Sequence, residues 1–344
     1  MHTDEQIKKV ISDGTFIFNE VFKKSISDEV FFHKHFDNPN IIEPPYIIEY
    51  SEDKPVAMRW MMGMSMLYNG HQLNAVQSSD DASLPEARGL TFLKIRKASE
   101  KLMRVSGTDF IYGCFYPGNA MDIAQKLGEK NFVTLYAAKL PLNDTVYAWK
   151  RFRIPIPECF VKANAANLIK KLQALSEPCT YNIEISKSCP FSEKDFLLIN
   201  TDNSLKVGRT QSYYDWKLSS QKKKDVKFIT ARKKGNLVGF MVVVSDINRD
   251  IIADWDIFAS GDEQTKILAA LVLKASGKKT IIAPSLNPES HELKLFTDIG
   301  FSDERLHEAP ICICAKAFNQ ETADIISKPE VWKHRFIDVD YFLN

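Results

Sequence analysis

Side chains that can accept or donate a proton occur in a few short stretches of this sequence. His33 and His35 lie at the end of a helical pattern, and imidazole titrates near neutral pH, so either is a candidate proton acceptor. They are two positions apart and point in different directions on a helix, so at most one is expected to reach a given site. Asp80 and Asp81 form a second candidate pair, with Asp80 favoured. Surface histidines and solvated turn carboxylates remain the alternatives.

A further carboxylate, Asp254, lies between apolar residues of a strand pattern over 251–255. A buried carboxylate needs either a partner or a function, so Asp254 is a candidate catalytic residue. Aromatic side chains nearby in the sequence offer a face on which a ligand ring could stack, with core packing as the alternative. The candidate substrate-binding residues are Tyr214, Trp216, Lys217 and Trp255.

Arg88 and Gly89 lie where a loop enters an amphipathic helix. The loop follows a strand over 72–78 and a segment, 79–85, that is predicted to be a turn. The helix is predicted from Phe92 to about Val105. The first backbone N–H groups of a helix have no intrahelical acceptor and carry partial positive charge, so this loop can bind an anion such as a pyrophosphate.

The order of elements around this loop is strand, loop, helix, strand, helix. The second strand covers 110–116, Pro117, Gly118 and Asn119 end it, and a helix leads to Gly128. Before the loop, the pattern predicts helices over 4–36 and strands over 46–50 and 56–67. The second half, from residue 181, repeats this order, ending in a strand over 311–317. The sequence therefore predicts a mixed α/β protein with a weak internal duplication.

Composition excludes several classes of protein. The chain has 344 residues, 45 Lys and Arg, 44 Asp and Glu and a net charge of +1, which argues against a general nucleic-acid binder. No apolar run is long enough to cross a membrane, and the polar N-terminus lacks the apolar core of a signal peptide, so we expect a cytoplasmic protein without membrane contacts. None of the six cysteines forms a C-x-x-C pair, so buried, reduced thiols and no metal site are expected.

The run from Pro85 to Gly89, the following helix, the strand that ends near Asn119 and the segment 126–128 before Phe132 together resemble the core of the GNAT acyl-CoA N-acyltransferases. The resemblance implies that the Arg-Gly loop binds the pyrophosphate of CoA and that Asn119 contacts the pantetheine arm. Leu93 departs from the family pattern, which has a small residue there. The implied CoA-binding residues are Asp81, Ala82, Ser83, Arg88, Gly89, Leu90, Thr91, Phe92 and Asn119.

The duplication implies two tandem GNAT folds, with a first domain over 1–150, a connection over 151–178 and a second domain over 179–344. At the place of the Arg-Gly loop the second half has Asp262 and Glu263, which would repel a pyrophosphate. CoA is therefore assigned to the first half, and the second half is expected to line the binding site of the substrate that accepts the acyl group, which we call the acceptor wall.

The ending from Trp332 to Asp340 and the tandem arrangement are similar to enzymes that acylate nucleotide-linked amino sugars for bacterial surface polysaccharides. This resemblance implies transfer of an acyl group, such as 3-hydroxybutanoyl or acetyl, from acyl-CoA to the amine of a dTDP-linked 3-amino-3,6-dideoxyhexose by direct attack. Asp80, His33, His35 and Asp254 are the candidate proton-handling residues. An aminoacyl-tRNA-dependent peptidoglycan-type ligase and a noncatalytic pair of folds that binds acyl-CoA remain alternatives, and the oligomeric state is open.

Overall fold

The computed structural model describes residues 4–142, 158–177, 180–220, 224–247, 249–277, 279–305 and 310–339, so part of the predicted connection lies outside the described residues. The helices are α1 (Asp4–Phe22), α2 (Asp28–Phe36), α3 (Leu90–Val105), α4 (Asn119–Lys126), α5 (Glu158–Ser176), α6 (Glu193–Asn200), α7 (Gln211–Ser219), α8 (Asp262–Ala275), α9 (Glu292–Asp298) and α10 (Gln320–Ile326). The strands are β1 (Tyr46–Ser51), β2 (Lys54–Tyr68), β3 (His71–Ser83), β4 (Phe110–Phe115), β5 (Lys130–Leu140), β6 (Asn182–Ser186), β7 (Lys206–Val207), β8 (Asp225–Lys233), β9 (Asn236–Ser245), β10 (Arg249–Ile257), β11 (Thr280–Leu286), β12 (Ser302–Asp303) and β13 (Ile311–Ala317).

The strands of the described residues join into one mixed sheet. Its order is β1-β2-β3-β4-β13-β5-β11-β10-β9-β8-β6, and the short strands β7 and β12 pair with β2 and β5. Helices pack on the faces of this sheet, and α8 contributes a nearly continuous buried apolar run that includes Ile267, Leu268 and Leu271. The predicted α/β fold class is confirmed.

The two halves of the chain repeat one arrangement. In the first, β1, β2 and β3 are antiparallel, and β3 runs parallel to β4 through the connecting helix α3. In the second, β8, β9 and β10 are antiparallel, and β10 runs parallel to β11 through α8. Each half therefore contains one strand–helix–strand crossover between parallel strands, as the duplication predicted.

The halves also share strands. β13, from the end of the chain, lies between β4 and β5 of the first half and is antiparallel to both. β5 continues past β13 and pairs through Ala138 and Leu140 with β11 of the second half. A boundary near residue 150 in the sequence is therefore not a boundary in the sheet.

The largest apolar cluster joins both halves. Met64 and Tyr112 of the first half pack in the same cluster as Phe240 of the second half and Trp332 near the end of the chain. This shared core fixes the C-terminal residues against β4, which matters for the site described below. None of the helices in the described ranges is long and apolar enough to cross a membrane.

Two predicted boundaries are wrong. The segment after Ser78, predicted to be a turn, continues as strand β3 to Ser83, because these polar residues pair with the apolar strand β2 (Ala57 with Ser83, Met58 with Ala82). The helix predicted to begin at Phe92 begins at Leu90, directly after Gly89.

Candidate acyl-CoA site

A gap opens in the sheet between β3 and β4. The two strands pair over only three positions, Ala75–Gln77 with Phe110–Tyr112. Beyond them, β3 stays paired with β2 and β4 with β13, so the two strands separate. We call the gap between 78–83 of β3 and 113–115 of β4 the first slot. Backbone groups along a separated edge are available to an extended ligand.

Two helix N-termini flank the first slot, since α3 follows β3 and α4 follows β4. The N-cap of α3 is Gly89, with φ 89° and ψ −113°, and the first turn of α3 contains no acidic side chain. Arg88 and Leu90 are exposed, and Thr91 and Phe92 are half-buried. The amides of the first turn have no intrahelical acceptor, so this end of α3 is suited to bind an anion.

Asn119 is the first residue of α4 and is exposed, and the N-cap itself is Gly118. The carboxyl ends of neighbouring parallel strands meet at one edge of a sheet. Asn119 and the Arg88–Gly89 loop therefore lie beyond the same edge, on the two sides of the first slot. Leu93, the residue that departs from the family pattern, is 36 % exposed, and its amide donates to the Gly89 carbonyl at 3.1 Å in the first helical hydrogen bond of α3.

β3 bulges where the first slot begins. Asp80 and Asp81 together face one residue of β2, Arg59, and Asp80 has a φ of 50°. The Asp80 carboxylate is buried between Lys34 Nζ, 2.8 Å from Oδ2, and His35 Nε2, 2.9 Å away. Burial opposes its ionisation, but the charge of Lys34 and the hydrogen bonds outweigh burial and hold the pKa of Asp80 well below its usual range. Asp80 is therefore an anion that joins α2 to the bulge.

The two candidate histidines have different partners. The His35 ring stacks on Trp60 with centroids 4.3 Å apart, and burial lowers its pKa to about 4. Its Nδ1 has no hydrogen-bond partner among the described residues. The Nε2 of His33 lies 2.9 Å from the Trp216 carbonyl of the second half, and its Nδ1 lies 2.8 Å from Asp37, the C-cap of its own helix.

Asp81 belongs to a separate ionic group. One oxygen, Oδ2, accepts hydrogen bonds from Arg59 Nη1, Arg96 Nη1 and Ser78 Oγ, each at 3.0 Å. Arg96 lies on α3, so this carboxylate ties the helix that follows the loop to the bulge that precedes it. Ala82 is buried and Ser83 half-buried, both in strand geometry next to β2.

On β4, the half-buried thiol of Cys114 lies beside the first slot. Gln77 Nε2 donates to Cys114 Sγ at 3.5 Å, and His334 Nε2 lies 3.5 Å from the same sulfur. Gln77 and His334 are 0 % and 2 % exposed. His334 belongs to residues 332–335 near the end of the chain, which we call the C-terminal segment. This segment therefore contributes a side chain next to the first slot.

Asp254 repeats the arrangement of Asp80 in the second half. It lies next to a bulge in β10, between the pairs Ile252–Val243 and Asp254–Val242. Arg209 Nε donates to it at 2.7 Å and Tyr214 Oη at 2.8 Å. Tyr214 is on α7, so Asp254 joins α7 to β10 as Asp80 joins α2 to β3. The partners of this buried carboxylate are side chains of the protein.

The other candidate substrate-binding side chains are packed. Trp216 is 3 % exposed, and its Nε1 donates to the His33 carbonyl at 3.1 Å. Lys217 is 0 % exposed and lies 4.7 Å from the centre of the Trp216 ring. Trp255 is covered by the Arg335 guanidinium at 4.3 Å and by Phe296. These contacts connect the halves and the C-terminal segment.

The second half has an equivalent gap, and the chain fills it. β10 and β11 pair only over Arg249–Ile251 with Thr280–Ile282, and we call the gap beyond, between 252–257 and 283–286, the second slot. Arg335 Nε donates to the Trp255 carbonyl at 3.1 Å on one side, and Asn287 Nδ2 donates to the Trp332 carbonyl at 2.8 Å on the other. The segment 332–335 therefore bridges both edges.

Charge also disfavours an anion at the second slot. The first turn of α8 contains Asp262 and Glu263, as the sequence indicated. A cavity of about 450 Å³ remains beside the filled slot, and its lining includes Asp256 and Glu292 together with their ion-pair partners Lys333 and Arg335. Within the described ranges no group of three His, Cys, Asp or Glu side chains is placed to hold a metal ion.

No family model and no curated protein matches the sequence. Solved structures do match. A GCN5-related N-acetyltransferase from Anabaena variabilis has a TM-score of 0.63 at 10 % identity, over 92 % of this chain and 71 % of its own. A probable N-acyltransferase from Enterococcus faecalis has a TM-score of 0.60 at 12 % identity, over 94 % and 72 %. The N-myristoyltransferase of Saccharomyces cerevisiae with bound myristoyl-CoA has a TM-score of 0.54 at 13 % identity, over 91 % and 80 %.

This chain has two tandem GNAT-like folds. Matches of this coverage at such low identity establish the fold, and they agree with the two crossovers described above. The identity is too low to carry any activity from these proteins to this one.

Sequence reasoning missed Gln77 and His334 and interpreted Cys114, like the other cysteines, as a buried, reduced thiol. Cys114 lacks a local nucleophile motif, and His334 is 220 positions away in the chain. No local pattern relates residues so distant. Only the folded sheet locates these residues, because they surround the point where two parallel strands separate after Gln77 and Tyr112.

Proposed function

We propose that this protein is an N-acyltransferase that moves an acyl group from acyl-CoA to the amine of a nucleotide-linked amino sugar. The observation that carries the proposal is the contrast between the slots. The first is bordered by a helix N-terminus without acidic residues, and the second is filled by 332–335 and bordered by Asp262 and Glu263. One CoA thioester therefore binds, in the first half.

The CoA pyrophosphate binds the first-turn amides of α3, beside the exposed Arg88 guanidinium. Gly89 is suited to this contact for two reasons. Glycine adopts a φ of 89° without strain, and the absence of a side chain lets the pyrophosphate approach the backbone closely. The pantetheine arm then extends between β3 and β4, with Asn119 on its far side. Two ion pairs hold the elements around this site in position. Asp81 and Arg96 join β3 to α3, and Asp80 and Lys34 join β3 to α2.

The reaction is direct attack of a neutral amine on the thioester carbonyl. The amine must lose a proton, the carbonyl oxygen needs a hydrogen-bond donor as negative charge develops, and the departing thiolate needs a proton. Backbone N–H groups at the bulge, Asp80 to Ala82, are the proposed oxyanion donors. Asp80 itself acts as a fixed anion because Lys34 holds its pKa low.

The acceptor is proposed from the sequence resemblance to sugar N-acyltransferases. It is the amine of a dTDP-linked 3-amino-3,6-dideoxyhexose, with a 3-hydroxybutanoyl or acetyl group as the acyl chain, in a cytoplasmic pathway to bacterial surface polysaccharide. The second half forms the acceptor wall in this proposal. His33 supports that arrangement, because its ring contacts α7 of the second half.

The test is transfer of a labelled acyl group, detected by mass spectrometry of the product. Purified protein is incubated with 3-hydroxybutanoyl-CoA or acetyl-CoA and a panel of dTDP- and UDP-linked amino sugars. We expect an acylated sugar with wild-type protein and about tenfold slower transfer by Arg88→Glu at subsaturating acyl-CoA. Binding of CoA without transfer to any amine would favour a noncatalytic pair of folds. Absence of CoA binding would favour the aminoacyl-tRNA-dependent alternative.

A further inference from the structure

Three polar side chains from distant parts of the chain meet where β3 and β4 separate. Gln77 is the last residue of β3 that pairs with β4, Cys114 is two residues beyond Tyr112 on the separated part of β4, and His334 comes from the C-terminal segment. Cys114 Sγ lies 3.5 Å from both Gln77 Nε2 and His334 Nε2. These three side chains therefore form one polar group at the start of the first slot.

Two buried atoms of this group lack partners. Gln77 Oε1 and His334 Nδ1 have no hydrogen-bond partner among the described residues, although both side chains are almost fully buried. An unsatisfied buried polar atom destabilises the folded state, because it has lost its hydrogen bonds to water without gaining others. Two such atoms beside one thiol, next to a gap that can admit a ligand, indicate that a bound molecule or a water satisfies them.

His334 is uncharged at neutral pH. Burial is the main cause that lowers its pKa to about 4, and the nearby charges of Arg209, Lys217 and Arg335 act in the same direction, against Asp338. A neutral imidazole has one N–H and one lone pair. It can therefore accept a proton at one nitrogen while it gives up the proton at the other.

Resting on the proposed function, we propose that His334 and Cys114 form a relay that carries the proton of the attacking amine to the departing CoA thiolate. The relay crosses between the halves of the molecule, since the imidazole belongs to the segment that fills the second slot. The class of substrate at the site is an acyl thioester, with its sulfur next to Cys114.

The transfer balances without any further reactant. The amine nitrogen forms a bond to the thioester carbon, and the carbon–sulfur bond to CoA breaks. The proton of the amine passes to His334 Nδ1, directly or through a water, the Nε2 proton passes to Cys114 Sγ, and the Cys114 S–H proton passes to the CoA sulfur. Cys114 ends protonated, His334 ends as the other neutral tautomer, and no covalent acyl-cysteine is formed.

The experiment compares two leaving groups in three variants. His334→Gln keeps a donor near the position of Nε2 but cannot exchange protons, and Cys114→Ala removes the thiol. Cys312→Ser is the matched control, a buried thiol on the neighbouring strand β13. Each is assayed with 3-hydroxybutanoyl-CoA and with its selenoester, whose selenolate leaves without needing a proton, using a dTDP-linked 3-amino-3,6-dideoxyhexose as the acceptor.

With the thioester, we expect kcat to fall about a hundredfold in His334→Gln and Cys114→Ala, the size expected for a lost proton transfer, with the KM for acyl-CoA unchanged. The selenoester should restore most of the wild-type kcat in Cys114→Ala, which lacks only the donor to the leaving group. It should restore less in His334→Gln, which also lacks the acceptor of the amine proton. Cys312→Ser should behave as wild type with either donor.

Equal losses with thioester and selenoester in Cys114→Ala would assign the thiol a structural role and overturn the relay. Undiminished transfer by both variants would also overturn it while leaving the proposed function in place. No transfer by wild-type protein to any amine would overturn both. An acyl group found on Cys114 by mass spectrometry would replace the relay with a covalent route.

Discussion

Asp80 and Asp254 occupy equivalent positions in the two halves and have the same structural role. Each is a buried carboxylate beside a strand bulge, and each joins that strand to a preceding helix, through Lys34 and His35 on α2 or through Tyr214 on α7. The sequence indicated that Asp254 needed a partner or a function. It could not indicate which, because Arg209 lies 45 residues away and only the folded sheet brings the two together.

His35 should make stability depend on pH. Its pKa is about 4 in the folded protein, below the value of about 6.5 expected for an unfolded chain, so between these values only the unfolded state binds the proton. This contribution is therefore complete above about pH 6.5 and is lost as the pH falls towards 4. Between pH 7 and pH 4.5 we expect His35 to account for about 2 kcal/mol of lost unfolding free energy.

The measurement is urea unfolding of wild-type protein and His35→Gln at both pH values. The difference in unfolding free energy between the two proteins should shrink by that amount at the lower pH. His71→Gln, at an exposed position on β3, is the control and should not change the pH dependence. An identical pH dependence in wild type and His35→Gln would show that the pKa of His35 is the same in the folded and the unfolded protein, and would contradict the prediction.

At the scale of elements, the sequence predicted the Arg88–Gly89 loop that leads into α3 but not the bulge in β3. Arg88 and Gly89 precede an amphipathic run, which is a local signal, and α3 begins directly after Gly89. The residues from Ser79 to Ser83 are polar and resemble a turn. They form a strand because β2, with Ala57 and Met58, supplies their hydrogen bonds.

Gly89→Ala should weaken CoA binding. At φ 89° and ψ −113° an alanine is strained by about 1–3 kcal/mol, although no atom lies within 4 Å of its added methyl group. Relief of this strain would turn the first-turn amides of α3 away from the pyrophosphate. We expect a smaller rise of the melting temperature with CoA than in wild type.

Gly70→Ala is the matched control for that substitution. Gly70 has a φ of 75° and open space around it, in the turn between β2 and β3, away from the first slot. It should lower the melting temperature without CoA by a similar amount but keep the full CoA-induced rise. An unchanged rise in Gly89→Ala would mean that the loop backbone does not contact the ligand.

At the scale of the whole molecule, the sequence indicated the duplication but not that strands of the two halves pair with each other. Each half repeats the same order of strands and helices, which is a periodic pattern. The position of β13 between β4 and β5 depends on contacts across about 200 residues, and these leave no local trace. The same long-range contacts bring His334 to Cys114.

The shared strands predict that the first half does not fold alone. A protein of residues 1–150 lacks β13, so β4 and β5 lose the strand that lies between them. We expect no cooperative thermal transition by circular dichroism and recovery of one when residues 151–344 are added. A cooperative transition for 1–150 alone would show that the first half is an independent domain.

The proposed function requires that one CoA binds to the protein, in the first slot. Calorimetric titration of the full chain with CoA tests it directly. We expect one site per chain, and about tenfold weaker binding in Arg88→Glu, because a charge-assisted contact to the pyrophosphate is lost. Lys101→Glu, about 16 Å along α3 from Leu90, makes the same charge change and should keep wild-type affinity. No binding, two equal sites, or equal affinity in Arg88→Glu would contradict the account.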